Sequence, residues 1–176
     1  MLLIDADPQG SALDWAAARE GEPLFPVVGL PRPTVHKEIQ GFVGDYDHIV
    51  IDGAPRVTDL ARSVIMASDV VVIPVQPSPY DIWSAEEVVG LVNEGAIYKD
   101  RLKSCFVINR KIVNTAIGRD VKEALANYDL PILAGTVGQR VLFAEAVASG
   151  LTVSEVDPKS SAAAEVQGVA AEVLEL

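Results

Sequence analysis

The sequence predicts a three-layer α/β fold, a mostly parallel sheet with helices on both faces. Three observations carry that expectation. Short apolar runs ending in turn residues recur along the chain, helical patterns separate them, and the runs are continuous in β-branched residues rather than alternating. Continuous runs mark strands buried on both faces, and strand–helix alternation builds a parallel sheet.

The strand candidates come in order. "LLIDAD" opens the chain, and "HIVIDGAP" follows with Ile49 to Ile51 between His48 and Asp52. Then come "DVVVIPVQP" at 69–77, "SCFVINR" at 104–110 and a weaker "PILAGTV" at 131–137. The Pro-rich stretch "GEPLFPVVGLPRP" reads as a loop holding at most one short strand. Helical patterns fall at Ser11 to Arg19, Val35 to Val43, Leu60 to Ala67, Ile82 to Tyr98, Ile117 to Tyr128 and Arg140 to Ser149. From Ser161 onward, Val166, Val169, Ala170, Val173 and Leu174 form a helical stripe.

Composition narrows the function. At 176 residues, 49% hydrophobic and 22% charged, the chain is long enough for one well-buried core. A formal net charge of −11 excludes a whole-surface electrostatic grip on nucleic acid or anionic lipid. Cys105, the single cysteine, sits in an apolar run and reads as a small buried hydrophobe. With no disulfide within one chain, a cytoplasmic setting is the default, and no stretch approaches a membrane span.

In parallel sheets, ligands bind outside the carboxyl ends of the strands. Here those ends carry Asp5 and Asp7, then Asp52, then Asn109 and Arg110. Three carboxylates converging on one edge repel each other unless a cation lies among them, and magnesium with its waters suits such oxygen donors. The structural alternative is that Asp7 or Ser11 caps the following helix.

The segments resemble the ParA/MinD deviant-Walker ATPases, the plasmid and chromosome partition family. "LLIDADPQGSALDW" is similar to that family's switch segment and "HIVIDGAP" to its Walker B strand. "SDVVVIPVQPSPYDIWSAEEV" resembles the next strand and its proline-rich turn, and "FVINRKI" the strand facing the nucleotide base. "TVGQRVLFAEAVASGLTVSE" resembles the late segment that closes over adenine. The matches come in family order over nearly the whole chain, so residues 1–176 are expected to form one domain of P-loop NTPase-like fold. The resemblance implies ATP or ADP with Mg2+ as cofactors. It implies Asp5 and Asp52 as water-mediated metal ligands and Asp7 as the residue positioning the attacking water. Asn109, Arg110, Gln139 and Arg140 would lie at the base, and Pro77 and Asp81 in the turn flanking nucleotide and dimer partner.

One family feature is not among these residues. The family's glycine-rich phosphate loop presents backbone N–H groups and a lysine to the phosphates. No Gly-Lys pair occurs, and Lys37, Lys99, Lys103, Lys111, Lys122 and Lys159 all lie outside glycine-rich turns. By the resemblance, these residues are expected to start at the family's second strand, with the first strand not among them. The expectation is a gap between "HIVIDG" and "VVVIPV", or direct pairing of those strands. A shortened chain and a natural variant with a rebuilt sheet both explain this, and hydrolysis is expected to be impaired.

Two rivals stand beside that reading. Haloacid-dehalogenase-like phosphatases also begin with D-x-D at a first strand end, with Asp5 as nucleophile and Asp7 at the leaving group. They want Thr or Val where Gln9 stands, and a later lysine and acid pair that are not evident. A non-hydrolysing ParA-like module for partner binding or dimerisation is the other. His36 and His48 lack zinc spacing, Trp15 and Trp83 read as packing residues, and Ser78 has no histidine nearby. The resemblance further implies a homodimer, a centromere-binding partner protein and DNA bound without sequence preference. Candidate cations for DNA are Arg56, Arg62, Lys99, Arg101, Lys103, Lys111 and Arg119, though a solvated surface explains them equally. No membrane contact is expected.

Overall fold

A computed structural model describes residues 1–54, 58–112 and 117–176. The elements alternate as the apolar runs demand: β1 (Leu2–Asp5), α1 (Ser11–Ala17), β2 (Val27–Gly29), α2 (Val35–Glu38), β3 (Ile49–Asp52) and α3 (Asp59–Ala67) form the first half. The second half is β4 (Val70–Val75), α4 (Pro79–Tyr98), β5 (Lys103–Lys111), α5 (Ile117–Leu125), β6 (Ile132–Gly138), α6 (Val141–Ala148), α7 (Val153–Val156) and α8 (Ser161–Leu174). The helix expected over 35–43 is shorter and continues as one 3-10 turn at Ile39–Gly41. The short strand in the Pro-rich stretch is β2, paired in parallel with β1.

Among the described residues the strands form two parallel sheets, ordered β2-β1-β3 and β4-β5-β6. The gap outcome therefore holds, and β3 and β4 do not pair directly. Each sheet has its own core. Leu2 and Ile4 of β1 are fully buried against Ile39, Phe42 and Ala67. Along β5 the pleat sends Phe106 and Ile108 toward α4 and α5, and Cys105 and Val107 toward Val169 and Val173 of α8. Helices thus cover both faces of the second sheet. Helix α3 joins the halves, giving Leu60 to the first core and Ile65 to the second.

The outer edge of β6 is closed by α8. The Glu172 carboxylate accepts hydrogen bonds from the Ala134 and Gly135 amides at 2.7 and 2.6 Å, and Glu165 accepts from Gly138 N–H at 2.9 Å. Covering an edge in this way blocks unwanted strand pairing. A second tie binds α1 to the late segment. Trp15 Nε1–H donates to the Leu151 carbonyl at 3.2 Å, Arg19 Nη1–H donates to the Gly150 carbonyl at 3.1 Å, and Arg19 pairs with Glu155. The guanidinium bond holds Glu155 down at a pKa of about 2. Glu155 also closes a capping box with Thr152 at the start of α7.

Among the described residues, no helix is long and apolar enough to cross a membrane.

Candidate functional site

The carboxylates gather because of strand register. In the β1–β3 ladder Asp5 stands opposite Asp52, both at the last position of their strands. Neighbouring strands lie about 4.8 Å apart, so the two acids leave the sheet side by side. Asp7 follows two residues later, in the turn leading to α1.

The three acids have different environments. Asp5 is 1% exposed, and both its oxygens are engaged: Oδ1 accepts from Asp7 N–H at 3.2 Å and Oδ2 from Leu13 N–H at 2.9 Å. Asp5, rather than Asp7 or Ser11, therefore satisfies an orphan amide in the first turn of α1. The residue at the N-cap itself is Gly10, whose φ of 70° suits glycine, and it makes no side-chain cap bond. Asp7 folds back as an Asx turn, its Oδ1 accepting from Gln9 N–H at 2.9 Å. Asp52 is exposed, and its carboxyl is held above the ordinary value, first by desolvation and then by the Asp5 and Asp7 charges.

That shift has a definite sign. A carboxyl with a raised folded-state pKa contributes stability below its ordinary range and loses it as pH rises through the raised value. Ionised Asp52 therefore weakens the fold near neutrality. The variant D52N should melt at a higher temperature than the parent near pH 7, with the advantage fading once both are titrated below the ordinary carboxylate range. Equal melting temperatures at neutral pH would show that neither desolvation nor the Asp5 and Asp7 charges disfavour ionised Asp52.

Mutual repulsion among Asp5, Asp7 and Asp52 is relieved by a cation, and oxygen-only chemistry suits magnesium. Among the described residues no three His, Cys, Asp or Glu groups are placed to hold a metal ion directly. With the Asp5 oxygens already on backbone amides, contact through water is the arrangement these residues fit. The same burial disfavours the phosphatase alternative, which needs Asp5 open to attack phosphorus.

A second group lies at the ends of β5 and β6. Register shifts between Ile108 and Lys111 form a bulge, where Arg110 has φ of 52° and its N–H donates to Asn109 Oδ1 at 2.8 Å. Gln139 N–H donates to the Lys111 carbonyl at 3.0 Å, so the fold brings Asn109, Arg110 and Gln139 together. Arg140 begins α6 but its guanidinium is bound to Glu165. Sequence reading missed that pairing, since partners 25 residues apart leave no local signal.

Between the two sheets lies a cavity of about 480 Å³. Asp52 and Asp81 both line it, and Asp81 lies in the first turn of α4 rather than in the turn that precedes it. Pro77 sits half-buried in that turn. Of the candidate DNA-binding cations, Arg62 pairs with Asp59 and Glu94, and Lys99 with Asp69. Arg101 and Lys103 are exposed and Lys111 half-buried, Arg56 lies outside the described residues, and so does the side chain of Arg119.

Residues 25–108 match the family model described as an AAA domain. Over 177 aligned residues the chain is 26% identical to the maintenance of carboxysome distribution protein A of Halothiobacillus neapolitanus, covering 98% of this chain and 82% of that protein. It is 28% identical over 207 aligned residues to the chromosome-partitioning ATPase Soj of Thermus thermophilus, covering 99% and 83%. The septum site-determining protein MinD of Pyrococcus horikoshii, solved with Mg-ADP, superposes with a TM-score of 0.72 at 17% identity, covering 98% and 82%. The chain is similar to ParA/MinD-type ATPases in sequence and in fold. The two-sheet arrangement with helices on both sides is a P-loop NTPase-like α/β fold, as in MinD.

Proposed function

We propose that this chain is a nucleotide-responsive positioning domain of the ParA/MinD type, taking ATP or ADP with Mg2+ at the strand ends. The observation that carries the reading is the register of Asp5 against Asp52, with Asp7 just beyond. Bound Mg2+ would neutralise phosphate charge, as phosphoryl transfer requires. Asp5 and Asp52 would hold its water shell, and Asp7, fixed by its Asx turn, would orient a water. Asn109, Arg110 and Gln139 would contact the base. Arg140, bound to Glu165, would shape that corner rather than touch the nucleotide.

Without a Gly-Lys phosphate loop in these residues, binding would be weak and turnover impaired. Dimerisation through the β4–α4 turn near Pro77 and Asp81 fits the same reading, as does a partner protein of the centromere-binding kind. The relatives are named for carboxysome distribution and chromosome partitioning, and a bacterial cytoplasmic cargo-positioning role agrees with both. DNA contact would be weak and salt-sensitive at a net charge of −11.

Calorimetric titration of Mg-ATP into this chain tests the reading, with D52A as the control. The expected result is magnesium-dependent binding that D52A weakens at least about tenfold, equivalent to 1.4 kcal/mol. No heat at millimolar ATP, or heat unchanged in D52A, would overturn it.

A further inference from the structure

Helix α8 is fixed at its start. Ala162 and Ala163 are fully buried against Ala146 of α6 and Val153 of α7, and Ser160 caps the helix by accepting from Ala163 N–H at 3.1 Å. From that rigid base Glu165 reaches the turn between β6 and α6. Its Oε2 accepts from Gly138 N–H at 2.9 Å and from Arg140 Nε–H at 3.4 Å, and its Oε1 accepts from Arg140 Nη2–H. The ion pair packs directly onto the backbone there: a Cβ on Gly138 would lie 3.3 Å from both Arg140 Nη2 and Glu165 Oε2. One carboxylate therefore holds both neighbours of Gln139, whose own N–H donates to the Lys111 carbonyl at 3.0 Å. The Gln139 carboxamide is left exposed, with no hydrogen bond among the described residues.

We infer that Glu165 is a positioning residue for the base end of the nucleotide site, fixing the main chain on both sides of Gln139 so that its carboxamide is presented to the base. The inference rests on the nucleotide reading above and adds to it a residue of α8 that does not itself touch the ligand. Gln139 is the group in that corner with the most left to offer. Asn109 Oδ1 already accepts from Arg110 N–H, and the Arg140 guanidinium is engaged by Glu165. A side chain carried on a pre-ordered main chain loses less freedom when it binds, so its hydrogen bonds count for more. Glu172, seven residues further along α8, provides the contrast. Its carboxylate also accepts from two amides, those of Ala134 and Gly135, but these lie earlier along β6. Both glutamates close the β6 edge; only Glu165 grips the turn that carries Gln139.

Calorimetric titration of the full chain with Mg-ATP and with magnesium tripolyphosphate, which has no base, separates the two ends of the site. The parent, E165A, E165Q and E172A are compared, each below its melting temperature. E165A should weaken Mg-ATP binding about fivefold or more, and E165Q less, because its carbonyl oxygen still accepts from Gly138 N–H. Tripolyphosphate should bind the parent and both Glu165 variants alike, within about twofold. E172A should lower the melting temperature yet leave Mg-ATP affinity unchanged. Unchanged Mg-ATP affinity in E165A would overturn the positioning role and leave the nucleotide reading standing, whereas no binding of Mg-ATP to the parent would overturn both. Equal weakening of the two ligands in E165A, or a loss of Mg-ATP affinity in E172A as large as that in E165A, would overturn the proposal by reducing Glu165 to a support of the sheet edge. Should E165A not fold, E165Q against the parent decides by the same criteria.

Discussion

Replacing Asp5 with alanine should destabilise the chain by about 2–4 kcal/mol, since each stranded buried amide costs roughly 1–3 kcal/mol. The carboxylate is 1% exposed and accepts from two backbone N–H groups, those of Asp7 and Leu13. Alanine leaves both without a partner, in a place water reaches poorly. Part of the loss is offset because Asp52 is relieved of one neighbouring charge. Asparagine keeps one acceptor and should lose roughly half as much. Urea unfolding of the parent, D5A and D5N in parallel separates these effects. A loss below about 0.5 kcal/mol for D5A would mean that the two amides find other acceptors. A consequence for functional work follows. D5A removes a structural bond as well as a charge, so Asp52, exposed and with a shift that is purely electrostatic and desolvating, is the cleaner probe of a metal role.

Gly150→Ala should be comparably damaging. Gly150 has φ of 64°, and it ends α6 in a Schellman arrangement, with Leu151 N–H donating to the Ala146 carbonyl and Gly150 N–H to that of Val147. A non-glycine residue in this conformation costs roughly 1–2 kcal/mol. An added Cβ would also lie 2.3 Å from Arg19 N and 2.5 Å from Arg19 Cα, backbone atoms that cannot rotate away. Forcing α1 aside adds about 1–3 kcal/mol of overpacking and strains the Arg19 and Trp15 hydrogen bonds to this segment. Gly21→Ala is the matched control: φ is 92° there, but nothing lies within 4 Å of the new Cβ. Thermal melting should therefore show a clearly larger drop for Gly150→Ala. Equal drops would mean that α1 yields at no cost.

The strands and longer helices were legible in the sequence because their signals are local. Continuous β-branched runs located β1, β3, β4 and β5, and the apolar stripe after Ser161 located α8. The four-residue α7 escaped, although Thr152 and Glu155 carry the spacing of a capping box and could have announced it. That Asp5 and Asp52 share one sheet edge was legible because each closes an apolar run, while their direct opposition comes from the β1–β3 register. What each acid does was not. Asp5 reaches Leu13 eight residues away, and Arg140 reaches Glu165 across α6 and α7. Such partners are chosen by packing, which one sequence does not reveal. The closing of the β6 edge by Glu172 and Glu165 is hidden for the same reason: on α8 they read as solvated charges.

The division of the strands into two ladders bears on how the molecule comes apart. Cooperativity in a sheet protein travels along hydrogen-bonded neighbours, and among the described residues that path is cut between β3 and β4. What couples the halves is the packing of α3, through Leu60 on one side and Ile65 on the other, and the α1 tether at Gly150 and Glu155. Helix contacts of this size are weaker cement than a shared ladder. Local opening is therefore expected in two units, one around Leu2 and Ile4 and one around Phe106 and Ile108, which amide hydrogen exchange would resolve.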